Sequence, residues 1–142
     1  MSDFRLVYNN PDGSVSIVVP APGITEEQAA AAVPRGTTYE VLHKDDVPTD
    51  RTFRNAWVKS GAAIDHDMDK VKTIAHDKRR AHREELFKPY DEAIAKQLPV
   101  VKDTAEAARS GIRAQDAAVQ SDIDAAASVD EVKTVLQEYG AV

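Results

Sequence analysis

Phe4, Leu6 and Tyr8 alternate with Arg5 and Val7, and Val15, Ile17 and Val19 alternate with Ser14, Ser16 and Val18. Two runs of period two predict two strands. Asn9-Asn10-Pro11-Asp12-Gly13 between them predicts a tight turn, because Pro presets φ and Asp-Gly tolerates positive φ. The pair therefore reads as a β-hairpin. Pro20-Ala21-Pro22-Gly23 ends the second strand, since neither Pro donates to a ladder. Thr25-Glu26-Glu27-Gln28 is a capping box that opens a short helix. The Ala run 29–32 favours that helix, and Pro34 and Gly36 stop it. Thr37 to Leu42 reads as a third strand, and Asp45 to Asp50 as a polar loop. Phe53 to Val58 reads as a fourth strand or as an irregular segment packed on the sheet.

Beyond this point the period lengthens. Ile64, Met68, Val71, Ala75 and His82 fall on one helical face, with Leu86 ending the stripe. They predict a helix over about 65–88, capped by Asp65 or Asp67. Acidic residues at its start and Lys/Arg later suit the helix dipole. Pro89 is expected to kink or end it, because Pro removes a backbone donor and clashes with the preceding turn. An amphipathic stretch from Tyr90 to Leu98 stops at Pro99. Ala105, Ala108, Ile112, Val119, Ile123 and Ala126 recur with spacings of 3, 4 and 7. They predict a helix over about 102–127 with a narrow stripe of small residues, interrupted by Gln115 and Asp116. Ser128-Val129-Asp130-Glu131 is a second capping box. Val129, Val132, Val135, Leu136 and Tyr139 form the apolar face of a last helix over 129–139, with Gly140 as its C-terminal cap.

The expected class is α+β. A small N-terminal antiparallel β module, residues 1–62, precedes a helical region, residues 63–142, made of a long kinked helix and C-terminal helices (about 65–88, 90–98, 102–127 and 129–139). The stripe in 101–127 has only Ile112, Val119 and Ile123 as large apolar residues. Burying each contributes roughly 1.5–3 kcal/mol. Ordering a helix of that length costs more in backbone entropy. The helix therefore needs a partner, either the preceding helix folded back or neighbouring copies of the chain.

The 142 residues carry 18 Lys+Arg against 24 Asp+Glu, a formal charge of −6. That length fits one domain, or a small domain with a helical extension. With no Cys, disulfide frameworks, thiol nucleophiles and thiolate metal sites are excluded. Redox compartment stays open. No apolar run approaches the length of a membrane span, and MSDFRLVYNN resembles neither a signal peptide nor a transit peptide. The charge is zoned. Residues 1–69 hold 6 basic and 11 acidic side chains, residues 70–88 hold 7 and 3, and residues 101–142 hold 4 and 8.

Asp65, Asp67 and Asp69 imitate the opening of a calcium loop. Such a loop needs Gly at its sixth position and Glu at its twelfth, where this chain has Lys70 and His76. Helix capping is the ordinary explanation. His66, His76 and His82 lack the spacing of a metal pair on one helix, so no metal and no cofactor is expected. Only an intermolecular site on a symmetry axis would bring such histidines together. Lys70, Lys72, Lys78, Arg79, Arg80 and Arg83 form a basic stretch, but they spread over several helical faces and no aromatic lies among them. This argues against nucleic-acid reading and for pairing of Lys78, Arg79, Arg80 and Arg83 with the acidic zones, within or between subunits. No nucleophile-and-base pattern, phosphate-cradling Gly loop or HExxH motif is present, so no enzyme is expected. The densest signal is Asp50-Arg51-Thr52-Phe53-Arg54-Asn55-Ala56-Trp57, which holds the only Trp. Arg51, Phe53, Arg54, Asn55 and Trp57 fit a protein–protein hot spot. They fit equally a core Trp with Arg stacked on it, joining sheet to helix.

Four segments together resemble a family of small proteins of tailed bacteriophages and prophages, often encoded near tail genes. These are Tyr8 with Pro11-Asp12-Gly13 through Pro20-Ala21-Pro22-Gly23, then Val33-Pro34-Arg35-Gly36 with Tyr39-Glu40, then Pro48 with DRTFRNAW (50–57), then Asp67-Met68-Asp69-Lys70 before a basic helix. The resemblance covers roughly residues 5–95, and DRTFRNAW is its most specific part. It implies a non-enzymatic virion structural protein, tail- or fibre-associated, assembled in the host cytoplasm and in contact with other phage structural proteins. It carries no catalytic residues with it. A tail or fibre assembly chaperone, a head decoration protein, and a nucleic-acid-binding or host-modulating protein using the basic helix are the alternatives. A homo-oligomer, guessed as a trimer, follows from the threefold symmetry common in phage appendages and from the helix that needs partners.

Overall fold

The computed structural model describes residues 3–96 and 99–142. The chain is α+β, with short strands first and long helices after them. It divides into two compact units, 1–70 and 71–142.

In the first unit, β1 (Phe4–Asn9), β2 (Val15–Val18) and β3 (Glu40–His43) form an antiparallel sheet in the order β2-β1-β3. The register pairs Val7 with Ile17 on one side and with Glu40 on the other. Period-two alternation then sends β1 side chains to opposite faces. Leu6 packs with Ala29 and Val33 beneath α1 (Glu26–Ala30), joined by Phe4, Tyr8 and Ile24. Val7 packs with Val15, Leu42 and Trp57, joined by Ile17, Val47 and Ile64. Covered on both faces, Leu6 and Val7 are each fully buried. The Thr25–Gln28 capping box is present in full: Gln28 N–H donates to Thr25 Oγ1, and Thr25 N–H donates to Gln28 Oε1.

Two strands differ from expectation. The third starts at Glu40 rather than Thr37, because Thr37 N–H is engaged by Pro34 O in the turn that ends the α1 segment. The segment 53–58 is irregular and then extended. A 3-10 turn over Arg54–Ala56 leads into β4 (Trp57–Ser60), which pairs antiparallel with β5 (Ala63–His66). The connection uses Gly61 at φ +59, a conformation open to glycine at little cost. Ile64, placed on a helix by its spacing, is therefore on a strand and packs in the Trp57 cluster. Residues 63–66, assigned from the sequence to the helical region, belong to the first unit.

The long helix α2 spans Met68–Ala95. Asp67 caps it, its Oδ1 accepting from the backbone N–H of Asp69 and Lys70. Pro89 lies inside this helix and does not end it, so the expected separate helices 65–88 and 90–98 are one element. Pro89 sits on the exposed side, where water can solvate the carbonyl it leaves unbonded. Beyond it Asp91 is held by Arg109 at 3.1 Å. Gln97 and Leu98, the expected end of the second stretch, lie outside the described residues.

In the second unit α3 (Pro99–Ala125) runs back antiparallel to α2. Lys72 and His76 meet Asp124, Arg79 and Arg83 meet Asp116, and Asp91 meets Arg109. A third helix, α4 (Val129–Tyr139), packs on α3. Val71, Ala75, Ile123, Val132 and Leu136 are fully buried. The weak stripe of α3 thus finds its partners in α2 and α4 of the same chain, and no longer requires neighbouring copies. Gly140 closes α4 at φ +87, with the Ala141 N–H bonded to Leu136 O.

Candidate functional site

The segment 50–57 follows from its composition. Phe53 and Trp57 are large apolar side chains and both are buried, Trp57 against the sheet. They are core, not surface anchors, so the hot-spot reading does not hold for these two residues. Trp57 joins the β4–β5 hairpin to the three-stranded sheet through Val7, Val15 and Leu42. Its Nε1 is buried without a hydrogen-bond partner among the described residues.

The arginines flanking this core behave differently. The Arg54 guanidinium lies 4.4 Å from the Trp57 ring centroid and donates to Val15 O at 2.7 Å. Arg51 lies 5.7 Å from the same centroid and is exposed. Two cations therefore gather over one indole, a stabilising arrangement for each. Burial, and then the like charge of Arg51, lower the Arg54 pKa from its usual value. Arginine nevertheless stays protonated in proteins. Asn55 is exposed.

Arg51 and Arg54 line a surface recess of about 400 Å³ together with Arg5 and Lys44. Its apolar wall is Ile17, Val19, Val47 and Pro48. Among the described residues no carboxylate lines it. Arg5 comes from β1, Lys44 from the turn after β3, and Arg51 and Arg54 from the segment before β4, so three chain segments supply the cations. Arg5 donates to Phe4 O at 2.9 Å, and Lys44 pairs with Asp3 at 3.1 Å. Val19 is 59% exposed on the wall. The grouping of Arg5 and Lys44 with Arg51 and Arg54 has no signal in the sequence, because it depends on the β1–β3 register.

The basic stretch of α2 is placed otherwise. Arg79 is 2% exposed and pairs with Asp116, itself 4% exposed, at 2.6 Å. Arg83 reaches the same carboxylate at 3.0 Å, and Tyr139 Oη donates to its other oxygen at 3.4 Å. Asp116, read from the sequence as an interruption of the α3 stripe, is thus the acceptor for three side chains. Arg80 pairs with Asp77, both exposed, and Lys78 is half-buried. With Arg79 buried and Arg83 engaged, these residues do not form a free basic face.

His66 lies on β5, His76 pairs with Asp124 at 2.7 Å, and the His82 ring meets Tyr139 edge-on at 4.7 Å. Among the described residues no three His, Asp or Glu side chains come together as metal ligands. An open groove of about 500 Å³ beside α3 and α4 carries Asp122, Asp130 and Glu131. No helix among the described residues is long and apolar enough to cross a membrane. In comparisons with known proteins, the chain matches no protein-family model, no curated protein and no solved structure.

Proposed function

We propose that this chain is a non-enzymatic structural protein of a tailed-bacteriophage virion, associated with the tail or its fibres and acting through protein–protein contacts. The phage context comes from the residue pattern over 5–95, centred on DRTFRNAW. The mode of action is supported by one observation: the first unit presents a cationic recess with an apolar wall on an otherwise acidic surface. Such a combination suits recognition of a protein segment, where charge sets register and apolar contact adds affinity. The strongest polar cluster elsewhere, around Asp116, is buried and satisfied internally. Its role is to hold helices together.

Self-association, as a trimer, is part of the proposal on the phage context alone. The fold-back of α3 removes the energetic argument that the sequence offered for it. Mass spectrometry of purified particles tests the reading. Detection of the chain in mature particles supports it. Expression in infected cells with absence from particles contradicts it, and would favour an assembly chaperone that leaves.

A further inference from the structure

We propose that the recess formed by Arg5, Lys44, Arg51 and Arg54 is a docking site for a short acidic–apolar peptide segment of a partner protein. The inference rests on the protein-contact reading above and names the chemistry of the partner.

Three observations carry it. Residues 1–70 contain seven Lys and Arg against eleven Asp and Glu, yet four of those seven cations line one recess. Lys44 already pairs with Asp3, so the guanidinium groups of Arg51 and Arg54 over Trp57 are the cations that a ligand carboxylate would meet. Secondly, one of the cations, Arg54, is held in place before any ligand arrives. Arg54 stacks on Trp57 at 4.4 Å and donates to Val15 O at 2.7 Å, and Arg51 lies 5.7 Å from the same ring. A preorganised guanidinium suits paired carboxylate oxygens. Thirdly, Ile17 and the exposed Val19 give the recess an apolar lining. A free inorganic anion gains nothing from such a wall, whereas a leucine-sized side chain does.

The occupant is a peptide rather than a nucleic acid because of the surroundings. A polyanion leaving the recess in either direction would run over a unit whose carboxylates outnumber its cations. A short segment with two or three carboxylates would end before meeting them. About 400 Å³ accommodates a few side chains and no more.

Trp57 is the only Trp, so its fluorescence reports the recess directly. The full chain is titrated with an end-blocked hexapeptide alternating glutamate and leucine, in about 50 mM and about 500 mM salt. Expected is a saturable fluorescence change that weakens at high salt. Arg51→Glu, at an exposed position, is expected to weaken binding by about tenfold or more. Lys44→Glu acts independently of the Trp stack and is expected to do the same, with an unchanged circular dichroism spectrum. Arg35→Glu, an exposed cation outside the recess, is expected to leave binding unchanged.

The proposal is overturned if the peptide gives no saturable change, or if Arg35→Glu weakens it as much as Arg51→Glu. It is also overturned if inorganic phosphate or a thymidine oligonucleotide binds as tightly through the same arginine. Detection of the chain in particles without peptide binding would remove this site and leave the virion reading standing. Peptide binding by a chain absent from particles would do the reverse.

Discussion

Arg79 of α2 and Asp116 of α3 lie 2.6 Å apart although they are 37 positions apart in the chain, and both are almost fully buried. The pair ties α2 to α3 at a level where Arg83 and Tyr139 also reach the carboxylate. Removing one partner of a buried pair leaves an uncompensated charge, at a cost of about 3–5 kcal/mol. Asp116→Ala is therefore expected to lower unfolding free energy in urea by that amount. Arg83→Ala is expected to cost no more than about 1 kcal/mol, because its side chain is one-third exposed and solvent screens it. Replacing the pair together, Arg79→Met with Asp116→Leu, should recover most of the loss. Equal costs for the two single alanine variants would contradict the assignment.

Tyr139 carries a pH dependence. Burial, and then the Asp116 carboxylate, raise its pKa above the ordinary phenol value. The folded chain keeps the phenolic proton at pH values where the unfolded chain has lost it. The contribution to stability is thus complete below about pH 10 and is lost as pH rises through the folded-state value. Urea unfolding at increasing alkaline pH should show a steeper loss for the parent chain than for Tyr139→Phe. Parallel slopes would show that the phenol is not coupled to folding.

Trp57 and Asn55 are two positions apart with opposite exposure. Trp57→Ala removes the side chain that joins the hairpin to the sheet, and should cost about 3–5 kcal/mol. Asn55→Ala should stay within about 0.5 kcal/mol. Chemical denaturation of the two variants decides whether DRTFRNAW is a core segment, as its Phe and Trp indicate.

Pro89 interrupts the hydrogen-bond ladder of a helix that continues past it. Proline in a helix interior costs up to about 3 kcal/mol relative to alanine. Pro89→Ala is expected to raise the melting temperature. An unchanged or lower value would mean that the helix breaks there in solution.

Local chemistry was readable in the chain, and long-range pairing was not. The hairpin turn at 9–13, the Thr25 box and the helix over 129–139 each depend on residues within a few positions, and the structure has all three. The Ser128 cap shows the limit of such rules. Its Oγ accepts from the Glu131 N–H as expected, but Glu131 reaches back to the Ala127 N–H instead of that of Ser128. The β4–β5 hairpin has no clear signal in the chain because Gly61-Ala62 is a short connection between strands of four residues, too brief for a period. Ile64 then fitted a helical spacing by coincidence. The intrinsic propensity of Pro89 is to end a helix, and tertiary contacts on either side override it. Asp116 looked like a flaw in an apolar stripe because its two arginines lie on another helix. The cationic recess was half visible: Arg51 and Arg54 stood out, while Arg5 and Lys44 needed the sheet register.

The most direct measurement is the copy number of this chain in purified phage particles, by quantitative mass spectrometry against a labelled standard. A structural role in the virion predicts a fixed number of copies per particle, divisible by three if the association is trimeric. A chain abundant in the infected cell and absent from particles would contradict it.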